Sequence, residues 1–175
     1  MRTLILILTF LMVFPFVSCT SNDSTNFSTR IKEAETAAIL PAFRGLYATS
    51  NKSLDEFNNK INEAKRSILI PIVYGHYAAS NKSLEEFSSR INEAKDASIE
   101  PMYRGIYAIS DKSIQDFNTR LKEAEVALIL PLFRGHYAAS DKSIQEFILK
   151  IKEAKAAGIS TAYCGEYAAS DYTLN

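Results

Sequence analysis

The chain carries two histidines, His76 and His136. They occupy the same place in a thirty-residue repeat, two units apart, with Ile106 in the copy between and Leu46 and Glu166 in the outer copies. A metal centre needs several ligands converging at ~2.0–2.3 Å on one ion. Along an extended array, two imidazoles separated by a whole unit do not converge, so the spacing predicts partly exposed helix residues and no metal site. Arg44, Arg104 and Arg134 share a second register, interrupted by Tyr74 and Cys164. Together with His76 and His136 they could line a mildly basic, aromatic strip suited to an acidic peptide or a glycan. Alternatively they pair with glutamates of the neighbouring long helix, such as Glu63 or Glu93. The sequence leaves both readings open.

Glu33, Glu63, Glu93, Glu123 and Glu153 raise the question of paired carboxylates, which glycoside hydrolysis needs ~5–9.5 Å apart. Every unit carries one, whereas an active site is normally built once, so the series reads as structural. No nucleophile elbow, zinc-protease helix or phosphate loop is present. Cys164 stands beside Gly165 with no base nearer than His136, one unit away, and reads as a core thiol. The expectation is therefore a non-enzyme with no catalytic residues and no cofactor.

Asn22, Asn26, Asn51 and Asn81 each begin an Asn-x-Ser sequence. In a eukaryotic secretory chain these could carry glycans. Asn51 and Asn81 stand where other copies have Asp111, Asp141 and Asp171, so a turn role is the simpler reading there. The chain has 20 basic and 20 acidic residues. That balance argues against a nucleic-acid partner, which calls for a basic excess. Two cysteines make no disulfide framework.

Residues 1–19 read as a secretory signal: one positive charge at Arg2, then an apolar run from Leu4 to Val17. The run is shorter than the ~20 residues that span a bilayer. Val17 and Cys19 fit an ordinary cleavage site. Alternatively Phe16-Val17-Ser18-Cys19 resembles a bacterial lipobox, with Phe16 in place of the usual aliphatic residue. Cys19 would then be acylated, and the polar segment 20–26 would tether the domain to a membrane. The expected location is secreted or lipid-anchored at the cell envelope or surface.

These residues are all positioned by one repeat. Phe27, Phe57, Phe87, Phe117 and Phe147 recur without insertion, as do Gly45, Gly75, Gly105, Gly135 and Gly165 and the Tyr two places after each glycine. An insertion-free period means that neighbouring units meet through the same contacts. The first half of each unit reads as an amphipathic helix. Ser53 and Glu56 have capping-box spacing, repeated at Ser83/Glu86, Ser113/Asp116 and Ser143/Glu146. Leu54, Phe57, Ile61, Ala64 and Ile68 then fall on one face. Pro41, Pro71, Pro101 and Pro131 stand just beyond the expected helix ends. The segment from each proline to the following Ala-Ser reads as a short second helix with Pro at N1, or as a buried strand, given the β propensity of Ile72-Val73-Tyr74.

The preferred architecture is all-α: a short right-handed solenoid of five αα-hairpins over 27–170, with a βα solenoid as the alternative and 171–175 as a tail. The glycine-x-tyrosine of Gly75 and Tyr77, with Phe87 and Glu93-Ala94, resembles the small-aromatic-Ala pattern of tetratricopeptide, Sel1-like and pentatricopeptide repeats. That resemblance implies stacked helical hairpins and a binding scaffold. The outer units look like the ends of an open array, with Asn22-Asp23 in place of Lys-Ser and Thr161 in place of proline. The functional expectation is a binding or structural module for a protein or glycan. The alternatives are a precursor cut into repeated peptides and, less favoured, a secreted hydrolase.

Overall fold

In the computed structural model, residues 27–67, 69 and 73–174 are described. The signal, lipobox, tether, Cys19, Asn22 and Asn26 lie outside them. The described residues form ten α-helices and no strand. They are α1 (Phe27–Thr36), α2 (Pro41–Thr49), α3 (Leu54–Arg66), α4 (Tyr74–Ala79), α5 (Leu84–Asp96), α6 (Pro101–Ile109), α7 (Ile114–Val126), α8 (Pro131–Ala139), α9 (Ile144–Ala156) and α10 (Cys164–Ala169). Among the described residues, the segment that could have been a strand contains a short helix in every unit.

Local chemistry explains the boundaries. Ser53, Ser83, Ser113 and Ser143 adopt extended backbone and each side chain accepts a hydrogen bond from the N–H three residues on, which caps α3, α5, α7 and α9. Pro41, Pro101 and Pro131 open α2, α6 and α8 at N1, where a missing N–H leaves no bond unmade. Thr161, which replaces proline, opens a 3-10 turn (Thr161–Tyr163) before α10. Four long helices end on a left-handed residue: Ala38 (φ 55°), Ser98 (58°), Leu128 (58°) and Gly158 (71°). The N–H of the next residue then reaches back to the helix, as in Ile39 to Ala34 and Ile99 to Ala94, both 2.9 Å.

Packing follows the repeat. Each long helix lies against its own short helix, and the short helices touch one another in succession, α2 to α4 to α6 to α8 to α10. The Phe series and the Tyr series are fully buried. Each Phe contributes ~1.5–3 kcal/mol by leaving water. Each Tyr meets the Phe of the next unit edge-on, at 5.3–5.4 Å between centroids from Tyr47–Phe57 to Tyr137–Phe147, a geometry that adds ~0.5–1.5 kcal/mol.

The array does not end open. Helix α10 packs against α2, and Tyr167 meets Phe27 edge-on at 5.5 Å. The Tyr163 hydroxyl donates to the Pro41 carbonyl at 3.0 Å, as Tyr103 does to Pro131. Tyr172 donates to the Ser50 carbonyl and to Asn51 Oδ1, both at 3.3 Å. The five hairpins therefore close into a ring with the short helices inside. The expectation of end-type units is corrected for the described residues: Tyr163 and Tyr172 of the last unit bond Pro41 and Ser50 of the first across a seam.

Candidate functional site

The residue after each glycine faces the ring interior. Leu46 stands against Gly75, His76 against Gly105, Ile106 against Gly135, His136 against Gly165, and Glu166 against Gly45. The glycines permit this approach, since a Cβ on Gly105 would lie 2.6 Å from His76 Cδ2 and one on Gly45 3.2 Å from Glu166 Cδ. Glu166 to Gly45 is the same contact carried across the seam. One register thus converges on the ring axis, with three apolar-walled ionisable groups among its five members.

His76 and His136 come together there, with ring centroids 6.4 Å apart and a 39° tilt. His136 Nε2 lies 3.8 Å from Glu166 Oε1. His76 is buried, at 9% exposure, not a partly exposed helix residue as its spacing implied. Its Nδ1 and Glu166 Oε2 are buried with no hydrogen-bond partner in the protein. Burial, then the neighbouring His136, pushes the His76 imidazole down to about 3. Burial raises the Glu166 carboxyl, and the attraction of His136 offsets part of that rise. His76 is neutral near pH 7 and therefore offers a nitrogen lone pair. Among the described residues, no group of three or more His, Cys, Asp or Glu side chains is placed so that it could hold a metal ion.

The arginines turn the other way. Arg44, Arg104 and Arg134 donate from Nε to the carbonyls of Ile39, Ile99 and Ile129 at 3.0, 2.8 and 3.1 Å. Arg44 also pairs with Glu35 at 3.1 Å and Arg134 with Glu125 at 3.9 Å. They brace the loop of their own hairpin, and these partners are not Glu63 or Glu93. Cys164 takes the same place, buried, with Sγ 3.7 Å from the Ile159 carbonyl. Tyr74 opens α4 and is half-buried. The structure brings the two histidines together but does not bring the arginines to them. Asn51 and Asn81 are exposed at the turns between units.

The glutamate series has a structural partner. Tyr47, Tyr77, Tyr107 and Tyr137 donate to Glu33, Glu63, Glu93 and Glu123 at 2.6–2.7 Å, and Tyr167 bonds Glu153. A cation covers each Tyr ring: Arg30, Lys60, Arg90, Arg120 and Lys150, at 4.2–4.5 Å from the centroids. Sequence reasoning missed Glu166 as a neighbour of His136. The signal was its register, which matches that of the histidines, but only a closed ring makes that register converge.

Fold and site together define a closed ring of helical hairpins with a polar axis. Comparison with protein-family models, curated proteins and solved structures returns no match.

Proposed function

We propose that the chain is a secreted or surface-tethered, non-enzymatic repeat module that binds a protein or glycan. The observation that carries this reading is where the repeated polar side chains go. The glutamates hold tyrosine hydroxyls and the arginines hold loop carbonyls, so the repeat serves the scaffold. Such helical-hairpin scaffolds are commonly used for recognition. Contact with a partner is further supported by an apolar rim on the last two units. Val126 and Leu128 are 83% and 87% exposed, and Leu128, Leu130, Phe133 and Ile148 line a cleft of about 230 Å³ beside Lys152 and Lys155. No helix among the described residues is long and apolar enough to cross a membrane; in the tethered form a lipid at Cys19 would hold the chain.

Mass spectrometry of the naturally produced material, with cross-linking before isolation, tests this. An intact chain starting at or just after Cys19 and cross-linked to a protein, or retained by a glycan, is expected. Thirty-residue fragments would establish the peptide-precursor reading instead. Replacing Cys19 with Ala separates the two locations: loss of membrane partition marks a lipid anchor, and unchanged processing and partition mark a free protein.

A further inference from the structure

We propose that the cleft between the fourth and fifth hairpins, beside the α7–α8 loop and α9, docks a segment of a partner protein that inserts apolar side chains and sets carboxylates against Lys152 and Lys155. The proposal rests on the binding role inferred above and gives it a place and a chemistry. The repeat supplies its own comparison. The cleft one unit earlier has nearly the same volume, about 240 Å³ against about 230 Å³. Its lining carries Ser98, Glu100, Asn118 and Glu125 where the later cleft has Leu128, Leu130, Ile148 and Lys155. Four equivalent positions thus turn from polar or acidic to apolar or basic on the same helical hairpin. Beside them, Ile148 and Leu149 stand where each of the other four units has Ser, Thr or Asn at both places, and Leu149 is 64% exposed. A scaffold feature recurs in every unit, whereas this change is made once.

The fold does not account for these residues. Leu128 is largely exposed and left-handed, where the first, third and fifth units place Ala38, Ser98 and Gly158. A leucine in that conformation costs stability and leaves apolar surface in water, which points to a gain outside the chain. Charge sets the chemistry of what it meets. The lining carries two lysines and no carboxylate. Neither lysine joins an ion pair among the described residues, and Glu153 between them is committed to Tyr167. An acidic segment complements both charges and is steered towards them. The lining offers no hydroxyl or carboxamide side chain to a glycan. Its volume, about 230 Å³, lies below the ~300–1,000 Å³ of small-molecule sites and suits the anchoring side chains of a protein partner.

The test is selection from a displayed library of random peptides against the processed chain, followed by fluorescence anisotropy with the enriched peptide. Enriched sequences are expected to combine Leu, Ile, Val or Phe with Asp or Glu, and to bind more weakly as salt rises. Leu130→Glu, Ile148→Asn and Lys155→Glu each install the residue of the earlier cleft, which the repeat already accommodates at Glu100, Asn118 and Glu125. Each is expected to weaken binding about tenfold or more. Leu128→Gly separates a lost contact from a damaged fold, because it is expected to raise the melting temperature while weakening binding about tenfold. Peptides that bind all four variants undiminished would overturn the cleft and leave the module reading standing. Failure to enrich any peptide would overturn it too, and the module reading falls with it only if the natural material also cross-links to no protein and is retained by no glycan. Self-association that Leu130→Glu abolishes would give the cleft to a second copy, and binding to vesicles of anionic lipid lost in the same variant would give it to a membrane; either result overturns the proposed occupant.

Discussion

Tyr167 of the last hairpin lies edge-on to Phe27 of the first, at 5.5 Å and 69°, the relation that Tyr77 has to Phe87 within the array. The seam is therefore built as an ordinary unit-to-unit interface. In an open solenoid, Phe27 would lose the contact that every other Phe makes. In the ring, Phe27→Ala is expected to destabilise by ~3–5 kcal/mol, within about 1 kcal/mol of Phe87→Ala. Urea unfolding followed by circular dichroism measures both. A much milder effect at Phe27 would mean that the ring is not closed in solution.

The glycines of the short helices are contact surfaces, whereas Gly158 is a backbone device. Gly105→Ala would drive a methyl to 2.6 Å from His76 Cδ2 and 3.1 Å from Val73 Cγ1, and overpacking of this kind destabilises by ~1–3 kcal/mol. Gly158 has open space around it but a φ of 71°, so Gly158→Ala costs about 1 kcal/mol for a different reason. The converse change is expected to stabilise. Leu128 holds φ 58° while 87% exposed, and Leu128→Gly relieves that conformation by up to ~1 kcal/mol. Thermal unfolding of the three variants should move in opposite directions as stated.

Helix pairing was legible because its causes are local. Ser53 and Glu56 announce a cap, Pro101 announces a start, and the Phe and Ile of one face announce a buried stripe. Closure was not legible, because it depends on the rotation between units, summed five times, and no residue spacing encodes an angle. The same gap hid the axial site. His76 and His136 sit two units apart on a line and face each other across a ring. The departure at Thr161 resembled an array end because it breaks the repeat, yet Tyr163 and Tyr172 of that same unit and its tail tie the seam.

The buried tyrosines set an alkaline limit. Burial, and then the hydrogen bond to a glutamate, raises Tyr47, Tyr107 and Tyr137 to about 12; Tyr77 and Tyr167 are raised by the same two causes. A raised folded-state value means that the unfolded chain releases these protons first. Their contribution is complete below the unfolded value of ~10 and is lost as pH rises from there through about 12. The fold is expected to unfold cooperatively within that window, with a steep tyrosinate absorbance step that coincides with loss of helix. Gradual ionisation near pH 10, while helix content holds, would show that these hydroxyls are not held as described.

The cations over the tyrosine faces offer a comparison that the repeat has already made. Arg90 donates to the carbonyls of Tyr107 and Lys112 at 3.3 and 2.8 Å, and Lys60 donates to those of Ser80 and Lys82 at 2.7 and 3.2 Å, so only the Lys112 and Lys82 carbonyls share a register. Both sit over a Tyr ring, at 4.3 and 4.4 Å. Arg90 also buries an Nε that has no partner, a burden Lys60 does not carry. Arginine and lysine are usually not interchangeable at a two-acceptor site, but here the ammonium also finds two carbonyls, one of them in the same register and the other, at Ser80, three residues on. Arg90→Lys is therefore expected to change stability by no more than ~0.5 kcal/mol. Arg90→Ala removes the donor from two carbonyls and the charge from the ring face, which together destabilise by ~1–3 kcal/mol. Urea midpoints of the two variants decide the matter. An Arg90→Lys loss as large as that of the alanine variant would show that the planar guanidinium, and not its charge and reach, holds the units together.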